Sequence, residues 1–403
     1  MTKFGHESKL EPLLALRLFV LLALSFALAS PTNAQLPARG DWKTDLSKAS
    51  IDIADLIGGG PAKDGIPAIR DPKFVSIDDA RAWVADPEPV MVVDAGSEVR
   101  IYPIQILIWH EMVNDVIGDL AVLVSYCPLC NSAIVFDRTV DGKVYDFGVS
   151  GMLRHSDMIM FDRQTDSLWQ QLTGESVVGE LTGKRLWIVS SQMVDFASAR
   201  NSYPAARVLS KETGHDRAYG SSPYAGYDMG GRTMFPVPYQ SKGQTRPLDR
   251  LVTIQTEDGA KAHLLEEVRK ARVRADKIGD TRYVIFAEPT ATSPLDKPNI
   301  SESKGVGSVG VFSPNVDGRE LKFRNRGSKI VDRETGSEWN IFGKAVAGEL
   351  EGKELKAINH GVFYAFAWLS FYPDTRVVGG GGTAVPLNAP GAVPGRAQPG
   401  IGL

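Results

Sequence analysis

Apolar and polar positions change period several times between residues 90 and 210, and each change predicts an element. Alternation over 90–93 and 99–102 around Gly96 predicts a hairpin. Pro103 then opens a helix over 104–113, because proline is tolerated at a first helical position, and Gly118 stops it. The run from Ala121 to Tyr126 is apolar or β-branched almost throughout and predicts a buried strand. Strands over 133–137 and 144–149 flank Asp141-Gly142, a dipeptide that accepts the positive φ of a tight hairpin turn. Short strands at 157–161, 169–171, 177–180 and 186–189 follow, and a helix over 193–202 ends at Tyr203-Pro204. Even strand spacing and few helices predict an α+β class: a β-rich unit with antiparallel or mixed curled sheets.

The same pattern returns later in the chain. Asp115-Val116-Ile117-Gly118-Asp119 recurs as Asp276-Lys277-Ile278-Gly279-Asp280 at an offset of 161, and Val140-Asp141-Gly142-Lys143 as Val316-Asp317-Gly318-Arg319 at 176. Asp162-Arg163-Gln164-Thr165 with Trp169 recurs as Asp332-Arg333-Glu334-Thr335 with Trp339 at 170, and Tyr203-Pro204 as Tyr372-Pro373 at 169. Collinear matches with a drifting offset indicate an internal duplication with loop insertions. The expected organisation is a signal peptide at 1–34, an N-terminal linker and short helix at 35–89, a first repeat at 90–210, a connecting segment at 211–251, a second, structural repeat at 252–378 and a disordered Gly/Pro-rich tail at 379–403. No Rossmann or Walker glycine pattern is present.

Composition narrows the function classes. With 43% hydrophobic and 23% charged residues among 403, the chain folds, and a net charge of −3 gives no basic field for nucleic acid. The apolar run over 18–29 is shorter than the ~20 residues that span a bilayer and is followed by Thr32-Asn33-Ala34, which predicts cleavage after Ala34, a periplasmic or secreted location and no stable membrane span thereafter. Only two cysteines are present, so no disulfide framework carries the fold.

Those two form Cys127-Pro128-Leu129-Cys130, directly after the predicted strand. The spacing suits a zinc or iron knuckle, whose next residue often has positive φ, and Asn131 tolerates that conformation. It also suits thiol exchange, which needs a helix N-terminus, or a small structural disulfide. The duplication separates scaffold from chemistry: at an offset of 161, Glu111 falls opposite Arg272, Cys127 opposite Glu288 and Cys130 opposite Ala291. Ordinary positions persist while candidate ligands change, which points to one functional and one structural copy. His110 lies about 160° from the apolar stripe of Ile104, Ile108 and Met112 at ~100° per residue, so it is not expected as a simple core histidine. His155 and Asp157 are expected in a loop after Gly151.

Trp109-His110-Glu111, Ser125-Tyr126-Cys127-Pro128-Leu129-Cys130-Asn131-Ser132-Ala133, Val135-Phe136-Asp137-Arg138, Ser150-Gly151-Met152-Leu153 and Asp162-Arg163-Gln164-Thr165 through Gly174-Glu175 together resemble a prokaryotic family known only as domain of unknown function DUF3179. The resemblance covers roughly residues 90–378 and brings no established activity. Similar sequences carry Asn in place of His155, which leaves Asp157 the better partner there.

The sequence therefore predicts a transition-metal site, zinc or copper(I), on Cys127, Cys130 and His110, with a fourth ligand from Asp157, His155 or Glu111. An enzyme would use Glu111 as base beside the metal, or Cys127 as a nucleophile with His110 as its base. A non-catalytic binding module would keep the cysteines as a structural pair.

Overall fold

The computed structural model describes residues 42–239 and 245–379. Its first copy runs through strands β1 (Pro89–Asp94) and β2 (Val99–Pro103) into a helix, Ile104–His110. With the one-turn helix Ile77–Ala80 before it as α1, this helix is α2. Strands β3 (Met112–Ile117), β4 (Leu120–Cys127) and β5 (Ser132–Asp137) form an antiparallel meander, and the chain continues through β6 (Phe147–Arg154), β7 (Asp157–Asp162), β8 (Leu168–Gln170) and β9 (Glu175–Val178). It then returns to the first sheet through β10 (Gln192–Asp195), α3 (Phe196–Ser202) and β11 (Arg207–Leu209). β10 pairs with β1, and β11 lies parallel to β2. The fold is β-rich α+β with mixed sheets, as the periodicity predicts.

The same elements recur in the same order: β12 (Arg250–Thr256), β13 (Gly259–Leu264), α4 (Leu265–Ala271), β14 (Val273–Ile278), β15 (Thr281–Glu288), β16 (Ser308–Phe312), β17 (Phe323–Arg326), β18 (Lys329–Asp332), β19 (Glu338–Trp339), β20 (Ala345–Ala347), β21 (His360–Tyr364), α5 (Ala365–Phe371) and β22 (Arg376–Val378). The sheet order β10-β1-β2-β11 reappears as β21-β12-β13-β22, including the one parallel pair. Side-chain detail recurs as well: Trp169 Nε1 donates to Asp162 Oδ2 at 3.0 Å, and Trp339 Nε1 to Asp332 Oδ2 at 3.0 Å.

Each copy lays its outer sheet on the other copy's strands. Val90, Ile101, Val194 and Phe196 of the first copy share a core with Phe286, Phe312, Trp339 and Ile341 of the second. Reciprocally, Phe363, Tyr364, Phe366 and Trp368 join the core of Val124, Tyr126, Val135 and Trp169. Burial of each such side chain contributes about 1.5–3 kcal/mol, so neither copy completes its core alone. Polar contacts follow the same exchange, since Gln192 Nε2 donates to the carbonyls of Val309 at 2.9 Å and Ile341 at 2.8 Å.

Several expected boundaries move. The helix over 104–113 ends at His110 because Glu111 takes φ 58° and ψ −26°, and residues 112–117 continue as strand β3 rather than helix and loop. The helix over 193–202 starts at Phe196, where Asp195 accepts from the Ser198 amide at 2.9 Å as its N-cap. Asp157 opens strand β7, as the strand predicted over 157–161 has it, and of the two expected loop residues only His155 stands in the turn before it. Residues 42–89 are no free linker, because Leu56, Ile69, Ile77 and Val84 are buried and the Gly59 amide donates to the Gly151 carbonyl at 2.7 Å. Gly151, at φ 77°, is required there: a Cβ would meet the Pro61 carbonyl oxygen at 2.0 Å. The expected signal peptide and nearly all of the tail fall outside the described residues. Among the described residues no helix is long and apolar enough to cross a membrane.

Candidate metal centre

Strand β4 delivers Cys127 into a single 3-10 turn, Pro128–Cys130, and Asn131 at φ 50° and ψ 33° turns the chain back into β5. Proline fixes φ at the start of the turn, and asparagine is the side chain that accepts the left-handed exit. Both cysteines are free thiols and buried, at 2% and 0% exposure. This is no disulfide, and one 3-10 turn gives no helix terminus to stabilise a thiolate. Burial pushes both thiols up.

The hairpin between β6 and β7 turns at His155 and Ser156, with φ 53° and 63°, and places Asp157 against the cysteines. The ligand atoms of Cys127, Cys130 and Asp157 all lie within 4.8 Å of one another. Asp157 Oδ2 is fixed by Gln170 Nε2 at 2.6 Å and the Leu172 amide at 3.0 Å, while its Oδ1, also buried, has no hydrogen-bond partner. The Cys130 thiol donates to the Ser156 carbonyl at 3.3 Å.

Glu111 adds a fourth acidic group. It is buried, and burial followed by the Asp157 charge pushes its carboxyl up to about 8; burial raises Asp157 to about 6. The charges acting on Cys127 are Asp157 and Glu111, and those acting on Cys130 are Cys127 and Asp157. Three groups that would each become anionic thus converge in the core, and Glu111 lies near enough for its charge to act on Cys127.

The two histidines are not brought to this cluster. His110 is fully buried, contrary to its expected place off the apolar face, because the helix is only two turns long and its end is covered by the connecting segment. Both its ring nitrogens are engaged, Nδ1 with the Pro67 carbonyl at 2.7 Å and Nε2 with the Tyr219 hydroxyl at 2.7 Å. Nδ1 therefore carries the proton and Nε2 accepts, and burial pushes the imidazole down to about 4. His155 sits 5.4 Å from the Phe371 ring, between ring centroids.

The connecting segment, which carries no periodic pattern, covers the site. Tyr227 donates to the Leu129 carbonyl, between the two cysteines, at 3.1 Å. Tyr224 feels the charges of Glu111 and Cys127, and Trp109 Nε1 donates to the Ser221 carbonyl at 3.0 Å. A signal for this contact did exist in the offsets: they jump from 161 to 176 across the cysteine turn, so the second copy carries a long insertion where the first has Cys127–Cys130.

Comparison with known proteins supports the same frame. The family described as protein of unknown function (DUF3179) matches residues 63–375. No curated protein matches the chain, and no solved structure does.

Proposed function

The chain belongs to the DUF3179 family, which is of unknown function, and we propose from the geometry that its first copy holds a transition metal on Cys127, Cys130 and Asp157. The observation that carries this reading is the convergence of two thiols and an unpaired carboxylate oxygen within 4.8 Å in a water-excluded place. Buried anions need a counter-charge, and the cluster's own neighbours are acidic. A tetrahedral metal needs these atoms roughly 3.5–4 Å apart, given bonds of about 2.3 Å to sulfur, so a contraction of about an ångström forms it.

Two thiolates with a carboxylate suit zinc better than copper(I), which prefers sulfur and nitrogen donors. Glu111, which lies outside that cluster but whose carboxyl interacts with Asp157 and Cys127, is the candidate fourth ligand. Its burial with the other three fits a closed, structural centre, whereas a catalytic metal keeps an open position. The thiol-nucleophile reading loses its base, because His110 is committed to Pro67 and Tyr219. We also propose export: mass spectrometry of the mature chain then finds Gln35 at its N-terminus, and an intact Met1 contradicts it.

Elemental analysis of the full chain, purified without chelator or histidine tag, tests the metal reading. One zinc per chain is expected, and none in Cys127→Ser with Cys130→Ser. A wild-type chain that stays metal-free after zinc is supplied contradicts it.

A further inference from the structure

The segment that roofs the site is held mainly by the other copy. The Ser222 amide donates to the Pro298 carbonyl at 2.8 Å, the Ser222 hydroxyl to the Pro294 carbonyl at 2.6 Å, and the Gly226 amide to the Asp296 carbonyl at 2.8 Å. All three acceptors lie in the loop between β15 and β16. That loop stands where Cys127–Cys130 stands in the first copy, and it is the insertion behind the jump in offset.

Next to Tyr227, Asp228 is gripped from the same side. Its carboxylate receives Arg250 Nη2 at 2.9 Å on each oxygen, together with the hydroxyls of Ser293 and Tyr364. The Asp228 and Arg250 side chains are 1% and 10% exposed, so this is an interior pair joining the roof to β12. Buried pairs rarely add net stability over apolar replacements, but they fix one arrangement of the parts they join.

We propose that the second copy is a clamp: its inserted loop and Arg250 hold the connecting segment closed over Cys127 and Cys130, which makes Asp228 and Arg250 positioning residues for the first copy's site. The clamp serves the metal reading, but its test does not depend on metal. Because the thiols are reached only when the roof opens, opening sets their reactivity.

The experiment is alkylation of the metal-free full chain by iodoacetamide under native conditions, timed for the wild type, Tyr227→Phe, and Asp228→Asn with Arg250→Gln. Tyr227→Phe keeps the ring and removes only the hydroxyl that bonds Leu129. Arg282→Gln, which breaks an exposed ion pair to Glu320 at 2.7 Å, and Ile330→Val, in the other core, are the controls. Both roof variants are expected to be alkylated about tenfold faster or more, and the controls at the wild-type rate. A rate within about twofold of wild type in Asp228→Asn with Arg250→Gln overturns the clamp. So does an acceleration that Ile330→Val reproduces at matched thermal stability, since that reports global unfolding. If the double variant fails to fold, Ser222→Ala, which removes the hydroxyl bonded to the Pro294 carbonyl of the inserted loop, decides in its place. Zinc titration of the same proteins separates the two readings, because a chain that binds no zinc but shows roof-dependent alkylation loses the metal and keeps the clamp.

Discussion

Glu111 and Arg272 occupy the same place in the two copies and show what differs between them. Each caps a seven-residue helix in a left-handed conformation, at φ 58° and 61°. Each accepts at its carbonyl from the second strand after it, from the Tyr126 amide of β4 at 2.8 Å and from the Ala287 amide of β15 at 2.8 Å. The backbone is therefore scaffold, and its unusual φ carries no function. Only the side chains part company. Arg272 acts on Glu288, the residue opposite Cys127, so the second copy brings its own cation to its own carboxylate. In the first copy the carboxylate of Glu111 faces Asp157 and Cys127 instead. One copy sets a cation near its carboxylate; in the other the charges acting on Glu111 and Cys127 are acidic, which the proposed metal would balance.

The largest test exchanges the two side chains. Glu111→Arg puts the second copy's cation into the first copy's site and is expected to lower zinc affinity at least ~100-fold, measured by competition with a chelator. Unchanged affinity would mean that Glu111 does not face the metal.

Glu88 sharpens the comparison at the corner where each copy's first strand begins. Burial raises its carboxyl to about 7, although the Ala85 amide and Gln105 both donate to it. A raised acid holds a proton in the folded chain that the unfolded chain has released. Its contribution is thus fully present below the ordinary value near 4.5 and is lost as pH rises through about 7. Between these limits urea denaturation should show a fall of about 2–3 kcal/mol that Glu88→Gln flattens.

The scaffold itself predicts equality. Trp169→Phe and Trp339→Phe each remove one indole bond to a carboxylate and should each cost about 2 kcal/mol in chemical denaturation. A clearly unequal pair would show that the repeated corner carries different loads in the two copies. The smallest effect is expected from Arg272→Glu, about 1 kcal/mol, because Arg272 acts on Glu288 only through its charge and both are half-buried. Zinc content should not change.

Much of this was legible in the chain. Asp162, Thr165 and Trp169 repeat as Asp332, Thr335 and Trp339 because their hydrogen bonds close the same corner twice, and such local bonding leaves a local signature. The cysteine turn was legible for the same reason, since proline and asparagine sit where the backbone needs them. His110 was not. Its position off the helix stripe suggested a free side chain, but its partners Pro67 and Tyr219 lie 43 and 109 residues away and carry no periodic signal. The start of the helix predicted over 193–202 was misplaced because a strand runs straight into it without a break at Asp195-Phe196. The exchange of outer sheets between copies was invisible, because an alternating strand fits either partner equally well.

Cobalt(II) titration of the metal-free chain tests the central claim most directly, because thiolate coordination produces a charge-transfer band that carboxylates alone do not. A band that saturates at one equivalent is expected in the wild type and none in Cys127→Ser with Cys130→Ser. A wild-type chain without the band, or a double variant that keeps it, would contradict the assignment of the site to Cys127, Cys130 and Asp157.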